Sequence, residues 1–265
     1  MICNPDLIFV GQPLIIPPDK PELPKAGGTP YYVVLPGDTL GCLARQFDTT
    51  VETLARINRI PDPDLIIARD ELLVIGERPD PARLKQTWED AGESCDQLTP
   101  MQIYGTYYLG IYARQALGTG AVPYLLELLR NSCDILRFYT IIALGRIAIN
   151  SRVTTALRSM AGDPVSFVAD AASLALQRIA LVQRGGQRYH ITLGSNQLYA
   201  IPDLSSASIL LPQGTAVISI RWFIPSPIAE AGPRGGLLIY DMVQVAHTGE
   251  RGFIPRVGFN EIRLI

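Results

Sequence analysis

Histidine is scarce in this 265-residue chain, with only His190 and His247, and the four cysteines form no C-x-x-C pair. Neither histidine stands in a metal-ligand or nucleophile motif. Cys3, Cys42, Cys95 and Cys133 are spaced too widely for a zinc site and too sparsely for a disulfide framework, so free structural thiols are expected. There is no G-x-S-x-G and no phosphate-cradling loop; Gly232, Gly235 and Gly236 have no helix after them. Glu89, Asp90, Glu93 and Asp96 read as a solvated helical face rather than paired catalytic carboxylates. The expectation is a non-enzymatic protein with no catalytic residue, cofactor or metal.

Other absences exclude partners. The best candidate for a long apolar run, Tyr139 to Ile149, is cut by Arg146, so no membrane span is expected. Bases number 23 against 25 acids, for a net charge of -2, with no basic stripe, which argues against nucleic acid. No charged n-region or small-residue cleavage site follows Met1, so no signal peptide is visible. What is abundant is apolar: 48% hydrophobic and 18% charged residues, enough for a sizeable core.

Proline and glycine then punctuate the chain. Residues 18–30 carry Pro18, Pro21, Pro24, Gly27, Gly28 and Pro30 and read as an extended linker. Polar joints at residues 77–81 and 183–187 separate a module at residues 31–76, a helical middle at 81–183 and a strand-rich tail at 188–265.

In the module, Tyr32-Val33-Val34-Leu35 is a β-run stopped by Pro36-Gly37, and Asp38 or Thr39 can cap the helix that follows. Leu40, Leu43, Ala44 and Phe47 recur at helical spacing, as do Val51, Leu54, Ala55 and Ile57 after Asp48-Thr49-Thr50. A turn over Asn58 to Asp64 leads to the strand Leu72-Leu73-Val74-Ile75. Strand, helix, helix, strand is the physical reading. The words Val33-Val34-Leu35-Pro36-Gly37-Asp38-Thr39-Leu40 and Pro63-Asp64-Leu65-Ile66, with the two helices between them, closely resemble a LysM module. That resemblance implies a groove for N-acetylglucosamine-containing glycan, peptidoglycan or chitin-like, between two loops: Gly37, Asp38, Thr39 and Leu40, and Pro63, Asp64, Leu65 and Ile66. Exposed backbone groups there can bond an acetamido group while Leu and Ile contact the sugar face. Leu40 and Leu65 read equally well as core. The chain departs from the family's pattern at Gly41, where an aromatic is common, and at Arg69, where glycine is common.

Pro5-Asp6-Leu7-Ile8 and Leu14-Ile15-Ile16 align, at one constant offset, with Pro63-Asp64-Leu65-Ile66 and Leu72-Leu73-Val74. Residues 1–17 therefore resemble the C-terminal half of a second LysM, and two expectations follow: the natural chain continues upstream of Met1, or the orphan strand pairs with another part of the chain or a second copy. In the middle, Ala116-Leu117-Gly118, Ala143-Leu144-Gly145 and Ala175-Leu176-Gln177 place small residues where stacked helices would approach closely. This resembles HEAT-like repeats, as a spacer or as a surface for a protein partner. Tyr104, Tyr107, Tyr108 and Tyr112 form an aromatic stripe read as a helix–helix seam. The tail alternates short apolar runs with turns, as in a small barrel. Through Asn196-Gln197-Leu198, Gly214-Thr215 and Gly249 to Ile254 it resembles a bacterial SH3-like domain, with Pro225 to Gly236 as a long inserted loop and Trp222 as core.

The expected fold class is thus multidomain α+β: a βααβ module, an all-α repeat middle and a small C-terminal β-barrel. The expected function is docking on glycan at a cell wall, extracellular or spore surface. Two alternatives stand beside it: an envelope scaffold without sugar affinity, and the targeting part of a longer cell-wall hydrolase.

Overall fold

The structure, a computed structural model, describes residues 31–34, 37–47, 49–58, 60, 62–67, 71–74, 80–147, 150–185, 189–232, 237–256 and 264–265. The half module (1–17), the proline-rich stretch (18–30) and Arg69 lie outside the described residues, as do the side chains of Tyr104, Tyr112 and Trp222.

The first unit is β1 (Tyr31–Val33), α1 (Leu40–Gln46), α2 (Val51–Asn58) and β2 (Glu71–Leu73). β1 and β2 pair antiparallel, with Tyr31 opposite Leu73 and Val33 opposite Glu71. Of the two candidate caps for α1, Thr39 is the one used: its Oγ1 accepts from the Cys42 N–H at 3.2 Å. Thr50 does the same for α2, accepting from Thr53 N–H at 3.1 Å. Leu40, Leu43, Leu54 and Ile57 turn inward at helical spacing against Val34, Leu72 and Val74.

The helical middle starts with α3 (Pro81–Gly92), whose first turn accepts Pro81 because Asp80 Oδ1 caps it through Ala82 N–H at 3.1 Å. A 3₁₀ turn (Cys95–Gln97), α4 (Pro100–Ile103), a π-helical segment (Tyr104–Tyr108) and α5 (Leu109–Leu117) follow. Next come α6 (Val122–Leu128), α7 (Asp134–Ile147), α8 (Ser151–Met160) and α9 (Ser166–Gly185). α6 packs on α7 and α8 on α9, and the two pairs stack through α7 on α9 and α6 on α8. Small residues permit close approach between the pairs: a Cβ on Gly145 would lie 2.9 Å from Ala175 Cβ. Tyr107 and Tyr108 are fully buried, and Tyr107 stacks on Tyr139 with ring centroids 5.4 Å apart, so this part of the tyrosine stripe is a seam. It is wound as a π-helix, a departure from α spacing that no apolar pattern signals.

The tail holds β3 (Tyr189–Ile191), β4 (Asn196–Tyr199), β5 (Ser208–Leu211), β6 (Ala216–Pro225), β7 (Ile239–Val245) and β8 (Arg251–Pro255). They form one antiparallel sheet in the order β3-β6-β7-β8-β4-β5. Register shifts between Ser219 and Ile224 bend β6 against β7. Ile265 exchanges two backbone hydrogen bonds with Ile191, at 2.9 and 3.1 Å, covering the β3 edge.

The polar joints mark changes of secondary structure, yet burial runs across them. One cluster of buried side chains extends from Val34 through the helices to Ile265, with α2 packed on α5, β2 on β6 and α9 on β3. Buried arginines tie the elements by donating to carbonyls. Arg178 donates to Gly145 O at 2.5 Å and Tyr189 O at 3.1 Å, and Arg146 donates to Leu264 O. Burial, with Arg146 nearby, brings the Arg178 guanidinium down to about 9. Arg114 lies 3.3 Å over the Trp88 ring, and burial brings it to about 9 as well. Arg256 grips Asp241 at 2.8 and 2.9 Å and donates to Tyr108 OH at 2.9 Å, joining sheet to helices.

The cysteine expectation is overturned. Cys95 and Cys133 form a disulfide with Cα atoms 5.5 Å apart, Cys42 is disulfide-bonded too, and no described cysteine is free. Cys95 sits in the 3₁₀ turn after α3 and Cys133 directly before α7. Tertiary packing brings together two residues separated by 38 positions, which spacing rules do not see.

Candidate functional site

The antiparallel register decides where the two sequence-predicted loops go. Val33 faces Glu71, so the chain leaves β1 and enters β2 at the same end of the ribbon. The turn through Gly37 and the segment 63–67 are the connections served by that end.

Gly37 adopts φ +89°, a conformation that favours glycine, with no atom within 4 Å of where a Cβ would stand. Asp38 is half-buried and Thr39 exposed, although the Thr39 hydroxyl is engaged as the α1 cap. Leu40 is 1% exposed and belongs to the core, one of the two readings its position allowed. The inward face that it shares with Leu43 is the reason.

The second segment is a tight, locally bonded turn. Asp62 Oδ1 accepts from Asp64 N–H, and Asp62 O from Leu65 N–H, each at 3.0 Å. Pro63 and Asp64 are exposed, and Leu65 is 65% exposed, which removes the core reading for it. Ile66 is half-buried and packs on the core, anchoring the turn between two outward residues. The second of these, Ile67, is 45% exposed and was absent from the predicted set. The out-in-out alternation of Leu65, Ile66 and Ile67 is the signal that could have found it. The arrangement places the exposed Asp64 and turn backbone at the surface, where polar groups of this kind can bond hydroxyl and acetamido groups. Two exposed aliphatic side chains stand ready for the apolar face of a ring.

Compared with known families, residues 32–74 match the model of the LysM domain. Residues 32–74 are a LysM domain. No curated protein and no solved structure matches the chain. A LysM domain implies binding of N-acetylglucosamine-containing glycans such as peptidoglycan, and such domains are typically extracellular or cell-wall associated. Among the described residues no helix is long and apolar enough to cross a membrane.

Outside the LysM domain, Cys95, Cys133 and Asp134 bring ligand-type atoms within 4.8 Å of one another. Both sulfurs are bonded to each other, leaving no thiolate to hold an ion. His190 is buried with Nδ1 3.2 Å from Ile265 O, and His247 is exposed in the turn after β7. Glu89 is half-buried, while Asp90, Glu93 and Asp96 are exposed.

Proposed function

We propose that the chain is a non-enzymatic binding protein that docks on N-acetylglucosamine-containing glycan, peptidoglycan foremost, through the LysM turns at residues 37–39 and 63–67. The observation that carries this reading is the LysM domain itself, whose second turn exposes Leu65 and Ile67 on a rigid local frame. The stacked helix pairs and the antiparallel sheet, HEAT-like and SH3-like in our reading, act as its carrier. The disulfides support a place outside the reducing cytosol, at a cell wall or extracellular surface.

Isothermal titration of the full chain with chitin oligomers and solubilised peptidoglycan fragments tests the reading. Saturable heat is expected, weakened about tenfold or more by Leu65→Asp, an exposed position where stability should shift by no more than ~0.5 kcal/mol. Incubation with peptidoglycan should release no soluble fragments. The absence of heat with every glycan would transfer support to an envelope scaffold without sugar affinity. The burial of Leu40 and the missing side chain at Gly41 speak for that second reading.

A further inference from the structure

The apolar stripes of α6 and α8 are wider than the surface their neighbours cover. On α8, Val153 and Leu157 are fully buried, whereas Ala156 and Met160, the adjoining positions of the same stripe, are only half-buried. On α6, Leu125 and Leu128 are buried while Leu126 is partly open. Between the helices lies a groove of about 590 Å³ whose floor is Leu126, Leu129, Ala156 and Met160, with Arg130 and Arg152 exposed on its sides. No acidic side chain lines it. Neither arginine has a carboxylate within ion-pair distance among the described residues. Glu127, the acid on α6 that feels Arg130, is ion-paired to Lys85 and does not line the groove, so the two cations border an apolar trough lined by no acid.

We propose that this groove docks an acidic peptide segment of a partner protein, with apolar side chains on the floor and carboxylates on Arg130 and Arg152. Charge complementarity selects the sign of the partner, because Arg favours planar carboxylates through paired N–H donors. The floor selects its class: a polyphosphate or sulfated polymer would meet the arginines but gain nothing from Leu126 and Met160. The groove is built by helices outside the LysM domain, so the proposal stands apart from glycan binding.

The test uses the full chain and a fluorescent amphipathic helix of Glu and Leu, with its Lys-and-Leu counterpart as control, read by polarisation. The acidic peptide should bind saturably and the basic one should not. The double variant Arg130→Glu with Arg152→Glu should lose about tenfold or more for the acidic peptide and gain for the basic one, an inversion that mere loosening of the helices cannot produce. Met160→Glu should weaken the acidic peptide by a similar factor while the helical circular dichroism at the assay temperature and the glycan titration stay unchanged. Three results would overturn the proposal: no saturable binding, equal binding of both peptides, or displacement by polyphosphate that needs the arginines but ignores Met160.

Discussion

In the LysM domain, a Cβ added at Gly41 would meet only Thr39 Oγ1, 3.9 Å away. In the helical body, a Cβ on Gly110 would stand 2.7 Å from Trp88 Nε1 and 2.9 Å from Arg114 Nη1, and one on Gly145 would be 2.9 Å from Ala175. The same residue type thus fills opposite roles. The body uses glycine to let backbones and rings touch, and it locks those contacts with arginines that reach across the chain, as Arg256 does to Tyr108, 148 positions away. The turns of the LysM site are fixed by neighbours two to four residues away, such as Asp62, Thr39 and Thr50. A binding surface made of local turns can stay open to solvent because its shape does not depend on being covered. The body depends on tight coverage.

Breaking the body at its longest-range lock should have the largest effect. Arg256→Ala takes a two-point guanidinium contact away from Asp241, 3% exposed, and removes the donor to Tyr108. A loss of ~3–5 kcal/mol is expected in urea unfolding. A loss under ~1 kcal/mol would mean that sheet and helices are held by packing alone. Removing the disulfide as Cys95→Ser with Cys133→Ser should cost ~2–4 kcal/mol, because a loop of this length is freed in the unfolded chain. Dithiothreitol should lower the native chain by at least that much and the double variant by less, because only the Cys42 bond is left in the variant to reduce.

How far the comparison was legible in the sequence depends on which contacts are local. The LysM turns, the Thr39 cap and the inward rhythm of Leu43, Leu54 and Ile57 are local events, so motif and spacing reach them. The close approach at Gly145 and Ala175 was legible as well, through small residues recurring with leucine. Leu40 and Leu65 looked alike beside their turns, and only the choice of helix face sends one inward and the other out. The Cys95–Cys133 bond and the Arg256 lock escaped because each joins positions whose proximity is created by the tertiary fold, without a periodic trace. The groove between α6 and α8 escaped for the same reason: a stripe reads as core until the neighbours that should cover it are placed.

A titration sharpens the comparison at intermediate strength. Burial alone would raise the Asp163 carboxyl, but the Arg137 side chain and the Val165 N–H overcome this and hold it below its ordinary value of 3.8. A depressed folded value means that the pair's contribution is fully present above the unfolded value and is lost as pH falls through the folded one. The urea midpoint should therefore fall less steeply with acidification below pH ~4 in Asp163→Asn than in the native chain. Parallel slopes would show that the pair does not couple to folding.

The smallest effect separates the two kinds of glycine most cleanly. Gly145→Ala should cost ~1–3 kcal/mol, since the Ala175 Cβ cannot yield without opening the α7–α9 crossing and the Ile265 side chain must shift as well. Gly41→Ala, in the first turn of α1 with open space around it, should instead add about 0.5 kcal/mol by reducing the freedom of the unfolded chain. Glycan affinity should be unchanged by that methyl group, because the proposed contacts lie at residues 37–39 and 63–67. If Gly41→Ala stabilises the fold yet abolishes glycan binding, a sugar must pass directly over the α1 backbone. The groove would then begin at Gly41, and this glycine would count with those of the body as a site of close approach, with ligand as its neighbour in place of protein.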